Sequence, residues 1–273
     1  MRRLLLAAMM FGAVTGAHAA DMPVLRGGFT EALARPTTNW EGFYIGGQAG
    51  YGSSDENFSG TNANMLSALL DHNVIQQMDV ANWNLGLGKQ SQRSPAYGGF
   101  VGYNVQFDDV VVGAEMSYMH ANNFGGTSIA TKELVSGTKL SDSMFHDVRV
   151  DSGAAIEITD LATFRARAGY AWGCFLPYMF GGFALGNANI TRFVTVSDAI
   201  SATGAPGSFT SLMPLSASDV LHNHLVYGYS GGLGVDVSLM AGLFMRAEWE
   251  YARITSTVDT NINTVRVGVG YKF

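Results

Sequence analysis

Residues 263–273 alternate without a break. Val265, Val267, Val269, Tyr271 and Phe273 take one set of positions, and Thr264, Arg266, Gly268, Gly270 and Lys272 take the other. A period of two belongs to a β-strand, whose successive side chains leave opposite faces. Such a strand has one apolar side and one charged side, and the fold must give each different surroundings. Residues 161–172 repeat the pattern, with Phe164, Ala166, Ala168, Tyr170 and Trp172 opposite Thr163, Arg165, Arg167 and Gly169. Residues 243–253 set Met245, Ala247, Trp249 and Tyr251 against Arg246, Glu248 and Glu250. Residues 42–53, 95–107, 110–120 and 224–237 alternate likewise, with Glu115 and Asp236 on their polar faces. Residues 176–186 read as one more strand, whose two faces polarity does not distinguish, giving eight in all.

The connections alternate too. Asp108-Asp109, residues 173–175 and residues 238–242 are short; residues 54–94, 121–160 and 187–223 are long, and residues 254–261 are intermediate. Loop lengths segregated by end, with an even strand number, mark a transmembrane β-barrel with short periplasmic turns and long extracellular loops. The fold class expected is therefore all-β, an eight-stranded antiparallel transmembrane barrel. A barrel of this size has a lumen just wide enough for its own side chains. That suits 34 glycines interleaved with a few long charged residues. A single cysteine, Cys174, excludes a disulfide framework and a Cys₄ or Cys₂His₂ zinc site. A formal net charge of −6 argues against nucleic acid, whose partners present basic faces.

The N-terminus reads as an export signal. Arg2 and Arg3 precede an apolar run over residues 4–14, and Ala17-His18-Ala19 forms a small-residue cleavage site. The run is shorter than the roughly 20 residues of a membrane-spanning helix. Residues 1–19 are thus a signal peptide, cut after Ala19 or Ala20, and its loss takes the net charge from −6 to −8. Residues 20–41, with Pro23 and Pro36, read as a periplasmic tether, and residues 42–273 as the barrel.

Energetics decide which face meets lipid. With the apolar face outward, Phe43, Phe107, Trp172, Tyr271 and Phe273 gather at one interface and Tyr51, Tyr118 and Tyr251 at the other. These are the positions of aromatic girdles. A slip of one residue would exchange the faces of every strand. Arg165, Arg167, Arg246 and Arg266 would then meet lipid at about 2–4 kcal/mol each near the midplane. Turned inward, they share the lumen with Lys272, Glu115, Asp236, Glu248 and Glu250, a nearly neutral set that must pair.

Five segments in order carry a family resemblance. They are Gly42-Phe43-Tyr44-Ile45-Gly46-Gly47, Gly98-Gly99-Phe100-Val101-Gly102-Tyr103-Asn104, Arg165-Ala166-Arg167-Ala168-Gly169-Tyr170, Leu176-Pro177-Tyr178 with Gly181-Gly182, and residues 264–273. The chain resembles the small outer-membrane surface-antigen (porin-like) family of alphaproteobacteria, related to the OmpA/OmpX-type eight-stranded barrels. The resemblance implies an outer-membrane location, a structural or porin-like role, and recognition of Phe273 by the barrel-assembly machinery. Some relatives in this family are associated with haem binding. The loops before Pro95, Leu161 and His224 are longer than is usual for such barrels.

Within the loops, Met65, Leu66, Leu69, Leu70, Val74 and Met78 are spaced as one face of a short amphipathic helix. It would lie across the barrel mouth, touch lipopolysaccharide or close a loop cluster on itself. His72, His120, His146, His222 and His224 fall in loops or at strand ends. His222 and His224 share a face when extended, but no third ligand for a metal or haem is indicated. Ser218, Asp219 and either histidine have the composition of a hydrolytic set, without a G-x-S-x-G turn. The expectation is a structural, non-enzymatic barrel with a filled, charge-paired interior, no cofactor and no metal. It contributes to envelope integrity and to adhesion or host contact. Its partners are outer-membrane lipid, lipopolysaccharide and the assembly machinery. The alternative is a narrow porin-like diffusion channel; loop-based haem binding and a lipid-modifying enzyme rank below it.

Overall fold

A computed structural model of the chain describes residues 38–273; the expected signal peptide and residues 20–37 of the expected tether lie outside the described residues. Nine strands follow in order: β1 (Gly42–Asn57), β2 (Lys89–Phe107), β3 (Val110–Val135), β4 (Phe145–Tyr170), β5 (Phe175–Ser201), β6 (Thr210–Ser211), β7 (Leu215–Met240), β8 (Leu243–Thr255) and β9 (Asp259–Lys272). Each strand except β6 pairs antiparallel with both neighbours in an eight-membered ring, which β1 and β9 close. The two-residue β6 only caps the top of β5. Closure leaves no free edge within the bilayer, where an unpaired backbone group costs several kcal/mol.

The short turns have the backbone that tight hairpins need. Asp108, Gly173, Ala241 and Gly242 all take positive φ. Ala241 and Gly242 do so consecutively, at 42° and 87°. Two successive left-handed residues make the turn whose twist matches the flanking strands.

The ring has two heights. A tilted transmembrane strand needs about 9–11 residues. β8 and β9 have 13 and 14, whereas β3, β4 and β7 have 26 and β5 has 27. Residues 121–160 and 187–223, expected as long loops, are therefore largely strand. They extend β3, β4, β5 and β7 into a wall above the membrane. The wall parts from the low side at defined points. β2–β3 pairing ends at Ala96↔Ala121, beside Pro95, which has no N–H to donate to the next rung. β7–β8 pairing ends at Tyr227↔Thr255.

The wall escaped the sequence reading because its phase is reversed. Along β4 most of the large apolar residues are even-numbered. Above, Val148, Val150, Ile156 and Ile158 are buried inside; below, Phe164 and Tyr170 are exposed outside. The switch is a bulge between Ile158 and Asp160, where Thr159 is the extra residue opposite β5. A bulge puts two residues opposite one and so exchanges the faces beyond it. β3 shifts register between His120 and Phe124, and β7 shifts where Leu221 and His224 face Ile190 and Ala188. Three of the four tall strands thus change phase just above the outer aromatic girdle.

The interior is layered. At the periplasmic end Trp40, Tyr44, Phe100, Leu176, Tyr178, Phe180 and Phe244 pack together. Leu176, Tyr178 and Phe180 are the inward face of β5, and Phe175, Met179 and Phe183 its exposed face. With bulky apolar groups on both faces, this strand had no polarity to read. Charged residues fill the middle. Above them lies an apolar layer that includes Phe58, Met119, Phe124, Ile156, Ile158, Ile190, Ile254 and Ile262. The segment between β1 and β2 covers this layer. Its helix α1 (Ala63–Leu69) forms from the expected amphipathic stretch, and two 3₁₀ turns follow, Val74–Met78 and Val80–Asn82. Leu66, Leu70, Ile75 and Val80 pack on Val148, Val150, Val194 and Val196 of the wall's inner face. Each such side chain contributes roughly 1.5–3 kcal/mol by leaving water. Asn62 pins the segment, its Nδ2 donating to Ser152 Oγ at 2.8 Å and to the Gly153 carbonyl oxygen at 2.9 Å.

Candidate functional site

The middle layer gathers the inward charges of five strands. Glu115 comes from β3, Arg165 and Arg167 from β4, Asp236 from β7, Arg246, Glu248 and Glu250 from β8, and Arg266 from β9. Strand register brings several of them level, with Glu115 opposite Arg165, Asp236 opposite Arg246 and Glu248 opposite Arg266. All eight are buried.

Glu115 is the hub. It accepts from Arg165 Nε at 2.9 Å, Arg246 Nη1 at 2.8 Å, Arg167 Nη1 at 3.2 Å and the Tyr44 hydroxyl at 2.7 Å. Asp236 takes Arg167 Nη2 at 2.6 Å and Arg246 Nε at 2.8 Å. Glu248 takes Arg165 Nη2 at 2.9 Å, Arg266 Nε at 2.7 Å and the Tyr178 hydroxyl at 2.5 Å. Glu250 pairs with Arg266, and its Oε1 has no hydrogen-bond partner. Four arginines thus face four carboxylates. Burial of such a set is tolerated because every charge has an opposite partner, although Arg165 Nη1, Arg266 Nη2 and Glu250 Oε1 make no hydrogen bond.

Aromatic rings flank the guanidinium groups. Arg165 lies 4.1 Å from the Phe180 ring centre, Arg167 3.7 Å from Tyr178 and Arg246 3.9 Å from Phe100. The planar, weakly hydrated guanidinium suits such stacking. Two glycines make room: a side chain at Gly102 would collide with the Tyr44 phenol, and one at Gly234 with Tyr178. Tyr44 and Tyr178 are network members that sequence reading did not name. Along residues 42–53, Tyr44 falls on the same side as Gln48 and Gly50, opposite Phe43 and Ile45, and that was the available signal.

Lys272 is a correction. Parity counted it as a lumen charge, yet it lies at the strand end, where its Nζ donates to the Glu41 carbonyl oxygen at 3.0 Å, away from the network. Phe273 is exposed on the rim. Its amide donates to the Phe43 carbonyl oxygen at 2.9 Å and its ring meets Tyr271 edge-on at 5.2 Å.

The remaining candidates are dispersed. The Asp219 carboxylate is engaged by Arg192, and Ser218 stands opposite Phe193 in the β5–β7 register. His222 and His224 are exposed beside the β7 bulge. His120 Nδ1 meets Asp160 at 2.9 Å on the outside of the barrel. His146 is buried in the wall between Asp198, 2.8 Å from Nδ1, and Asp142, 2.9 Å from Nε2. Asp142 is held below the usual carboxylate range by the Met144 amide and by His146. Asp151, also in the wall, is lowered by the Thr131 hydroxyl and Arg149. Among the described residues, no group of three His, Cys, Asp or Glu side chains could hold a metal ion. Cys174 is exposed in its turn.

A closed antiparallel ring, greasy outside and ionised within, defines an outer-membrane β-barrel. The chain belongs to the outer membrane protein beta-barrel domain family, whose model matches residues 4–273. It is 26% identical to the 31 kDa outer-membrane immunogenic protein of Brucella melitensis over 288 residues, covering 100% of both chains. Among solved structures it is similar to Neisserial surface protein A, at 13% identity and a TM-score of 0.34 over 85% of this chain and 97% of that one. It is also similar to Ail of Yersinia pestis, at 14% identity and a TM-score of 0.33 over 85% of this chain and 99% of that one.

Proposed function

We propose that this protein is a sealed structural barrel of the outer membrane that carries a rigid extracellular wall. One observation carries the reading: the charge layer has no net charge, and apolar layers close it on both sides. Such a stack leaves little room for water, and a diffusion channel requires a wet path. The docked segment over residues 58–88 adds a further barrier at the mouth. Its envelope role is mechanical, and Phe273 serves as the terminal assembly signal. Reconstitution into planar bilayers tests the reading. The expected record is flat, and reproducible single-channel steps would establish the porin-like alternative instead.

A second role is favoured by the wall itself. From Leu185, level with the outer girdle, to Ser201, β5 climbs roughly 50 Å along its own length. That reach supports surface contact with host molecules. A variant shortened to the height of β8 should insert normally and lose cell attachment; retained attachment would remove this role.

A further inference from the structure

The segment between β1 and β2, besides covering the lumen, encloses a cavity of its own. Its two arms, residues 59–66 and 81–87, border a space of about 350 Å³. Small-molecule sites run from roughly 300 to 1,000 Å³. The arms are tied together at their base, where the Phe58 amide donates to the Gly88 carbonyl oxygen and Ser59 Oγ to the Leu87 carbonyl oxygen, both at 3.3 Å. Asn62 fastens the first arm to the wall. Trp83 fixes the second: its Nε1 donates to the Met78 carbonyl oxygen at 3.2 Å, and Lys132 Nζ lies 5.3 Å from its ring centre. Lys132 also donates to the Asn84 carbonyl oxygen at 3.4 Å, which holds this arm against β3. The cavity is preformed, so a ligand entering it has little left to order.

The lining selects by chemistry. Leu66, Leu85 and Trp83 supply an apolar part, and Asn82, Asn84 and Ser59 a polar part. Among the described residues no ionisable side chain lines the space. All three polar side chains retain hydrogen-bonding capacity. Asn82 Nδ2 donates to Asp79 at 2.7 Å, and its Oδ1 has no partner among the described residues. Asn84 Oδ1 accepts from the Gly86 amide at 3.0 Å, and its Nδ2 has no partner among the described residues. Ser59 Oγ donates once and can still accept. Gly60 leaves the margin open, with nothing within 4 Å of where a Cβ would stand. A charged ligand would lose water here without meeting a counter-charge in the lining. A plain hydrocarbon would strip water from the amides and leave them unpaired. The complementary ligand is neutral, apolar on one face, and fringed with hydroxyls that both donate and accept.

We propose that this cavity binds a neutral pyranose, free or at the end of a glycan. The C–H face of the sugar would lie against Trp83 and Leu66, while neighbouring hydroxyls would bridge Asn82 Oδ1 and Asn84 Nδ2. The site rests on the folded segment alone. It stands whether or not the lumen conducts and whether or not the wall attaches cells.

The test titrates the full-length protein, purified in detergent, with the methyl glycosides of glucose, mannose, galactose and N-acetylglucosamine, followed by calorimetry and saturation-transfer NMR. At least one should bind saturably. Sorbitol, an open-chain polyol, and methyl glucuronoside, a charged ring, should bind at least ten-fold more weakly than that glycoside, a comparison that needs no variant. Ala63→Trp fills the cavity from an exposed position without removing a side-chain hydrogen bond, and Asn82→Leu removes the free acceptor. Each should weaken binding at least ten-fold, with hydrogen-exchange protection over residues 66–80 unchanged as evidence that the segment is still folded. A trisaccharide ending in the same sugar and binding more tightly identifies a glycan end as the ligand; equal affinity identifies a single sugar. No saturable binding of any of the glycosides, equal binding of sorbitol or methyl glucuronoside, or parental affinity in a folded Ala63→Trp variant would each overturn the site.

Discussion

Four of the ring's eight strands continue into the wall above it, and three of those four reverse polarity on the way up. In the ring, Phe164, Ala166 and Ala168 of β4 face outward and Arg165 and Arg167 face inward. In the wall, Val148, Val150 and Ile156 face inward and Arg149, Asp151 and Glu157 face outward or to the margin. Each arrangement follows from its solvent. Lipid rewards an apolar exterior, while water above the bilayer rewards an apolar interior. The difference teaches that one continuous stripe of hydrophobic residues can serve both solvents if a single extra residue turns the strand over where they meet.

Exchanging two neighbours of the ring is the severest way to break the comparison. Phe164→Arg with Arg165→Phe puts a cation against lipid and takes a buried partner from Glu115 and Glu248. Deleting Thr159, by contrast, makes Ile158 and Asp160 successive, so plain alternation keeps Ile158 inside and Phe164 outside without a bulge. The exchange should abolish assembly, read as loss of the boiled-versus-unboiled mobility shift, and the deletion should preserve it; the opposite result in either variant would refute the phase-reversal account. Next, charge pairing should matter in one region only. Arg246→Leu strips partners from Asp236 and Glu115 and should cost about 3–5 kcal/mol. Arg149→Leu in the wall removes a half-exposed pair with Asp151 and should cost about 0–1 kcal/mol. Unfolding midpoints in detergent give both numbers, and equal costs would contradict the contrast.

A finer test makes one chemical change at two outward positions. Val267→Arg puts a cation against lipid, at about 2–4 kcal/mol near the midplane. Ile129→Arg on the wall puts it in water and should shift stability by no more than about 0.5 kcal/mol. Refolding titrations into lipid vesicles would measure each. The smallest effect is acid loosening of the wall. Asp142 and Asp151 have folded-state pKa values below the ordinary carboxylate range, through Met144 and Thr131 respectively. A depressed pKa stabilises above the unfolded value of about 3.9 and loses that contribution as pH falls through the folded value. Hydrogen exchange over residues 136–151, corrected for the intrinsic rate, should therefore quicken below about pH 4, while residues 161–170 stay protected. Equal loss of protection in both would show one cooperative unit rather than two regions.

Much of the ring was legible from sequence for the same reason that the wall was not. In β9 and β8 apolar and charged residues alternate cleanly, so parity alone located Arg246, Glu248, Glu250 and Arg266. β5 hid its faces because Leu176, Tyr178 and Phe180 inside are as apolar as Phe175, Met179 and Phe183 outside. The wall hid because a search for lipid-facing stripes rejects a strand whose outward side is polar. Parity also carried Lys272 too far, since it reports a face and says nothing of height along the axis. Pairing partners such as Tyr44 with Glu115 needed strand register, which depends on the whole ring.

The three register shifts above the outer girdle also act as a depth gauge. Were the barrel to sink, the polar outer face of the wall would enter hydrocarbon; were it to rise, Val267 and Phe164 would meet water. Both displacements are opposed from the same ring of bulges at Asn122–Asn123, Thr159 and His222–Asn223. Where membrane thickness varies, surrounding lipid must therefore stretch or thin to suit this cylinder, because the cylinder has fixed its own waterline.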